Sequence, residues 1–263
     1  MKEEVTILSA NSISIGYRNG KEVTAVANNV SVQLKKGSLT ALIGANGIGK
    51  STLLRTLTGI QKPLQGEVML NGKNISSYSA KALAQKLSIV LTEALPPSNL
   101  SVFELTALGR QPYTNWLGIM AEEDIAKTNE ALQMVQLEHL ADKKHYEISD
   151  GQLQKVLIAR ALAQDTPLIV LDEPTTHLDL LHKVSLLKLL KQLTEKTGKS
   201  ILYSTHDLDL ALQLSDEVIV MTSEDVIQNT PALLREMDIF NRLFTDKSIY
   251  FDYAKGGFII NPG

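Results

Sequence analysis

Eight consecutive residues, Gly44-Ala45-Asn46-Gly47-Ile48-Gly49-Lys50-Ser51, with Thr52 next, follow the pattern of a glycine, four variable positions and then Gly-Lys-Ser. When such a stretch joins a strand to a helix it is suited to phosphate. Its glycines let backbone N–H groups converge on anionic oxygens, and the helix start adds the positive end of its dipole. Lys50 would meet the outer phosphates, and the Ser51 hydroxyl can ligate Mg2+. A second pair of groups, Asp172-Glu173, closes the apolar run Leu168-Ile169-Val170-Leu171. Carboxylates at the end of a parallel strand lie where open α/β sheets bind ligands. There Asp172 would hold Mg2+, directly or through water, and Glu173 would polarise an attacking water. His206 follows another strand-like run, Ser200 to Thr205, where it could contact a terminal phosphate or begin a helix beside Asp207. Ser149-Asp150-Gly151-Gln152 reads as a capping box, with Ser149 and Gln152 satisfying each other's backbone N–H groups at a helix start. The other histidines (139, 145, 177 and 182) lack zinc-protease spacing.

Several elements must hold these groups in place. Short β-branched runs alternate with longer helical patterns, so the fold class is α/β. Strands are expected over 7–15, 23–34, 38–43 and 67–70, with Asn71-Gly72 as a hairpin turn, and a helix from Lys50 to Thr58. Residues 95–164 read as helical. They include a second capping box at Ser101 and Glu104, a helix stopped by Gly109, and one over 122–137 with Ile125, Leu132 and Val135 on one stripe. The Ser149 helix would carry Val156, Leu157, Arg160 and Ala161 together, and a later one Leu186, Leu189, Leu190 and Leu193 until Gly198. Strands follow at 168–171, 200–204 and 218–221, then a Pro231-led helix and a strand-like terminal stretch. The net charge of −3 provides no electrostatic footprint for nucleic acid, and the lack of cysteine excludes disulfides and thiolate metal sites. Acidic residues at positions 3 and 4 disfavour a secretory leader, and apolar runs fall far short of the roughly 18 residues a spanning helix needs. Any work at a membrane would go through a partner.

Together these elements resemble the ATP-binding subunits of ABC transporters, over about residues 5 to 225. The phosphate loop is shared by many NTPases. What singles out the family is its combination with a signature segment, here Ile148 to Gln152, a D-loop, here Leu178-Asp179, and the switch histidine, here His206. The resemblance implies a P-loop NTPase core of the ABC ATPase type with an antiparallel β section and an inserted helical subdomain. Residues 1–94 and 165–225 would form the ATP-binding core, 95–164 the helical subdomain, and 226–263 an extension packed on the core. Tyr17, in "SISIGYRNG", stands where the family stacks an aromatic ring on adenine. By the same resemblance two copies pair head-to-tail. Each ATP, with Mg2+, lies between residues 44–52 of one copy and Ser149, Gly151 and Gln152 of the other, near Asp179. The partners implied are a polytopic permease and, indirectly, a substrate-binding protein, which would place the chain at the cytoplasmic face of the membrane. The segments "LGRQPYTNWLG" and "EPTTHLDLLHKV" look most like subunits serving import of iron-siderophores, haem or vitamin B12. Candidate docking segments for the permease are 91–98 and 109–118. A soluble ATPase uncoupled from transport, or a regulator poor in hydrolysis, are the alternatives.

Two positions depart from the family pattern. Where the family has a glutamine after the strand ending near Val90, this chain has Thr92 or Glu93, and Asp150 replaces a signature glycine. A carboxylate aimed at a terminal phosphate would be repelled by about 1 kcal/mol at 4 Å in bulk-like dielectric, and more when desolvated. Asp150 is therefore expected to point aside, capping a backbone N–H or pairing with a cation. Replacing it by glycine should leave ATP turnover within a few-fold of wild type, and a collapse in rate would show that the carboxylate takes part directly.

Overall fold

The computed structural model describes residues 5–20, 22–91, 98–115, 118–176, 178–237, 239–243, 249–252 and 257–260. The chain opens with a long antiparallel hairpin of β1 (Thr6–Asn19) and β2 (Glu22–Lys35), paired from Thr6↔Lys35 to Asn19↔Glu22. The wholly buried β3 (Leu39–Gly44) feeds the glycine loop and then α1 (Lys50–Leu57). β4 (Val68–Leu70) turns through Asn71 and Gly72, at φ 49° and 73°, into β5 (Lys73–Asn74). Two left-handed residues are what a tight hairpin turn requires. These strands form a four-stranded sheet in the order β2-β1-β4-β5.

After α2 (Ala80–Ala84) and β6 (Leu87–Val90) come α3 (Val102–Ala107), α4 (Glu122–Met134) and α5 (Asp150–Ala163). The chain then returns to the sheet through β7 (Leu168–Leu171), α6 (Leu180–Thr197), β8 (Ser200–Thr205), α7 (Leu208–Leu214) and β9 (Glu217–Met221). It closes with β10 (Val226–Asn229), α8 (Pro231–Glu236) and the hairpin of β11 (Ile249–Asp252) and β12 (Gly257–Ile260).

The second sheet runs β10-β9-β3-β8-β7-β6 and is parallel except for β10. Strands covered on both faces need continuous apolar runs, which is how 168–171 and 218–221 read. Alternation within β3 divides the core. Leu39, Ala41 and Ile43 join α5 and α6 on one face, whereas Leu42 faces α1 and the first hairpin. Leu234, Phe240 and Phe251 belong to the helix-side cluster, with the two phenyl rings 4.6 Å apart.

Several expectations change. Gly109 does not stop a helix by a left-handed turn: α3 passes into a 3-10 turn over 108–110, and a Cβ on Gly109 would stand 2.1 Å from the Arg160 carbonyl oxygen. That glycine permits two backbones to touch. α4 ends at Met134, with Gln136 left-handed, and Ile125 faces outward, so the buried stripe is Asp124, Thr128, Ala131, Leu132 and Val135. In α6, Leu187 rather than Leu189 completes the buried face. Neither α2 nor β10 shows a strong sequence signal, being short and half-buried.

The helices α3, α4 and α5 are pinned by a buried ion pair. Arg110 Nε donates to Asp124 Oδ1 at 2.8 Å, its NH1 donates to the Ala163 carbonyl at 2.9 Å, and its guanidinium lies 4.0 Å from the Tyr113 ring centre. Burial pushes the Asp124 carboxyl up, but the Ala121 N–H and the Arg110 guanidinium outweigh it and hold the group below the ordinary aspartate range. A depressed folded value means stability that is present above the ordinary range and lost as pH falls through the folded one. Asp124→Ala, which strands the Arg110 charge, should therefore cost about 3–5 kcal/mol in urea unfolding at neutral pH. Asp124→Asn should in addition flatten the acid limb of the stability profile; an unchanged acid limb would show that the pair does not govern it.

Candidate functional site

The glycine loop departs from β3 at the sheet edge. Gly44 has no room for a side chain, since a Cβ would lie 2.6 Å from the Met221 carbonyl oxygen. Gly47 and Gly49 occupy the left-handed region at φ 75° and 113°, which glycine adopts without steric cost. Gly49 is the N-cap of α1 and makes no side-chain cap, and the first turn holds no acid, so its N–H groups remain for a ligand. Ala45, Asn46, Gly47 and Ser51 are exposed, and Ile48 is half-buried. Lys50 is buried, and its Nζ donates to the carbonyls of Gly44 at 3.0 Å and Ala45 at 3.1 Å. Burial lowers the pKa of this ammonium, while the Glu173 and Asp172 carboxylates pull it the other way. The Tyr17 hydroxyl is 2.6 Å from Thr52 Oγ1, which ties the half-exposed ring to the start of α1.

Parallel register brings the carboxylates to the same edge. Ile43 pairs with Thr205 and Leu171 with Tyr203, so the residues just beyond β3, β7 and β8 converge. The buried Ser204 hydroxyl donates to Asp172 Oδ1 at 2.7 Å and accepts from the Glu173 N–H at 2.8 Å. Glu173 itself sits at φ 49°, a left-handed conformation that costs a non-glycine residue about 1–2 kcal/mol. Its Oε1 lies 2.5 Å from His206 Nε2, and its Oε2 accepts from Thr176 Oγ1 at 3.2 Å. His206 Nδ1 is 3.4 Å from Lys50 Nζ. An ammonium can only donate, so Nδ1 accepts and the ring proton sits on Nε2, aimed at Glu173. Lys50, His206 and Glu173 thus form one chain of contacts. Ser204 was not among the residues expected from sequence; the signal was a hydroxyl near the end of an otherwise apolar strand, "ILYST".

The second cluster lies apart. Ser149 accepts from the Gln152 N–H, and Gln152 Oε1 accepts from the Ser149 N–H at 2.9 Å, so the capping box is formed. Ser149 and Asp150 are exposed. Contrary to expectation, the Asp150 carboxylate neither caps nor pairs among the described residues; the side-chain cap is made by Ser149 and Gln152. A Cβ on Gly151 would meet only His182 and Leu178, both at an ordinary 3.6 Å. Asp179 caps α6, accepting from the His182 N–H at 2.9 Å and lying 2.8 Å from its Nδ1. These bonds from His182 hold the Asp179 carboxyl below its usual range. Among the described residues, no hydrogen bond or ion pair joins this cluster to the glycine loop. Thr92, Glu93, Trp116 and most of the segment 91–98 lie outside the described residues.

Residues 27–176 match the family model described as ABC transporter. The chain is 38% identical over 241 residues to the achromobactin transport ATP-binding protein of Dickeya dadantii, covering 91% of this chain and 88% of the relative. It is 35% identical over 258 residues to the ferric enterobactin transport ATP-binding protein of Escherichia coli, covering 98% and 94%. Among solved structures, the post-hydrolysis dimer of the ATP-binding cassette MJ0796, bound to ADP and Pi, is 29% identical with a TM-score of 0.72. That match covers 85% of this chain and 98% of the other.

The two left-handed glycines differ in their surroundings. A Cβ on Gly47 would have nothing within 4 Å, whereas one on Gly49 would stand 2.2 Å from Val26 Cγ1. Gly47→Ala should lower the unfolding free energy by about 1–2 kcal/mol, and Gly49→Ala by a further 1–3 kcal/mol or so from overpacking. Equal urea midpoints for the two variants would contradict the steric account.

Proposed function

The chain belongs to the ABC transporter family as an ATP-binding subunit, and on that footing we propose that it hydrolyses ATP to energise uptake of a ferric siderophore through a membrane permease. The observation that carries the chemistry is the meeting of the glycine loop, Asp172, Glu173 and His206 at one sheet edge. Gly44 to Thr52 and the N–H groups of α1 would hold the phosphates, with Lys50 moving from the Gly44 and Ala45 carbonyls to phosphate oxygens. Tyr17, exposed and tethered to Thr52, would stack on adenine. Glu173 would take the proton of the attacking water, and His206, whose Nε2–H already points at that carboxylate, would orient it or meet the terminal phosphate.

A carboxylate at Asp172 and a hydroxyl at Ser51 offer oxygen donors of the kind Mg2+ takes when phosphates and waters complete its shell. Bound there, Mg2+ would supply neutralisation of phosphate charge. Ser149, Gly151, Gln152 and Asp179 are best explained as a half-site for a second copy's ATP. The exposed helix start has its cap satisfied, and Gly151 has no packing need for glycine, as expected where a ligand approaches the backbone. Residues 95–164 then act as the lobe that carries this half-site, beside a core of 1–94 and 165–225 with 226–263 packed on it. Among the described residues no helix is long and apolar enough to cross a membrane. Attachment to the cytoplasmic face would come through the permease, itself served by a substrate-binding protein. The siderophore assignment rests on the two relatives named above.

Glu173→Gln should bind ATP and form an ATP-dependent dimer in gel filtration, while phosphate release falls at least about 100-fold. Unimpaired hydrolysis in that variant would overturn the assignment of the base.

A further inference from the structure

Asp207 stands at the N-cap of α7 yet makes no side-chain hydrogen bond to the first turn of that helix. An aspartate at this position ordinarily accepts from an N–H two or three residues on. Here the carboxylate is turned elsewhere. Its Oδ1 accepts from Lys183 Nζ at 3.1 Å, and its Oδ2 accepts from Thr175 Oγ1 at 3.4 Å. An ionised carboxylate only accepts, so the Thr175 proton goes to it. The Thr205 hydroxyl, 3.4 Å from that of Thr175, then donates to Thr175, and Thr205 Oγ1 accepts from the Asp207 N–H at 3.1 Å. Three bonds close a ring through residues 175, 205 and 207, and both threonines are buried.

The ring lies against the carboxylate edge. Thr175 follows Glu173 by two residues, and its neighbour Thr176 donates to Glu173 Oε2 at 3.2 Å. Asp207 adjoins His206, whose Nε2 is 2.5 Å from Glu173 Oε1. Lys183 comes from a third element. It lies in the first turn of α6, where its N–H donates to the carbonyl of Asp179, the cap of that helix, at 2.9 Å. One ammonium therefore joins the helix start that carries Asp179 to the residue beside His206. Lys191, about two turns along α6, also pairs with an aspartate, but at the far end of the sheet. Its partner Asp216 accepts from the N–H of Leu39, where β3 begins.

We propose that Lys183 and Asp207 are positioning residues for ATP turnover, their ion pair holding His206 against Glu173 and tying that edge to the helix start at Asp179. The inference rests on the ATPase reading above. Without the ammonium, the carboxylate is left to its ordinary partners, the N–H groups of α7. A turn of Asp207 toward them opens the ring and moves the adjoining His206. Lys50 and the glycine loop take no part in the ring, so breaking the pair slows turnover without weakening the hold on nucleotide.

The test uses the full chain and three measurements: steady-state phosphate release, affinity for fluorescent ADP, and melting temperature. Lys183→Met keeps an apolar stem of similar length and removes the charge. It should lower kcat about three- to tenfold, the scale of one lost hydrogen bond between charged groups that are partly exposed. KM for ATP and affinity for ADP should stay within about twofold, and Lys183→Arg should return kcat to within about twofold of wild type. Lys191→Met, which breaks an ion pair on the same helix away from this edge, should leave kcat unchanged. Wild-type kcat in Lys183→Met would overturn the proposal, and so would an equal loss in Lys191→Met. A fall in kcat matched by a fall in ADP affinity or in melting temperature would count against it equally, as would failure of arginine to restore a folded chain. A wild-type chain that releases no phosphate from ATP would instead overturn the ATPase reading, and this inference with it.

Discussion

The register of β8 between β3 and β7 is the constraint on which the site depends. Ile43↔Thr205 on one side and Leu171↔Tyr203 on the other bring Gly44, Asp172 and His206 to one edge. Side chains along a strand alternate between faces, so a slip of one residue would carry Ser204 to the opposite side of the sheet. Asp172 would then lose its hydroxyl donor and the Glu173 N–H its acceptor. The apolar residues flanking Ser204 hold that register. Leu202 packs on the α1 side, while Ile201 and Tyr203 pack on the α5–α6 side. Core packing and the geometry of this edge are here consequences of the same pairing.

Within that frame the site holds conformations a purely stable protein would avoid. Glu173 is left-handed without being glycine, Lys50 is buried, and Gly47 and Gly49 leave α1 without a side-chain cap. Each feature is locally unfavourable, and together they present donors and a carboxylate to one point. The neighbouring contacts compensate: Thr176 and His206 hold the Glu173 carboxylate, and two carbonyls hold the Lys50 ammonium. Unfavourable local geometry that neighbours over-determine is a mark of a functional site.

How much of this is legible in sequence follows from the range of the interactions. Both serine capping boxes are local patterns that form where their residues predict, and the glycine loop joins a strand to a helix as its spacing implies. Strands hidden on both faces announce themselves as apolar runs. Long-range contacts leave weaker traces. Gly109 carries the same letter whether it reverses a chain or admits another backbone, and only the fold reveals the Arg160 carbonyl beside it. Ile125 fits an apolar stripe, yet Asp124 takes the buried place because Arg110, 14 positions earlier, is there to meet it. Asp150 suggests a partner by its charge, but among the described residues its carboxylate meets none, the cap being made by its neighbours.

The contact of Gly109 with Arg160, reinforced by the bond from Arg110 to the Ala163 carbonyl, makes α3 and α5 a lever with a hard fulcrum. Eleven residues separate Arg160 from Ser149, an arm of about 16 Å at the helical rise. A tilt of about 10° at the fulcrum would swing the helix start by about 3 Å, the whole length of a hydrogen bond. With backbone against backbone there is no side chain at the pivot to compress. Small rotations at one end would reach the other as displacement rather than being absorbed as strain.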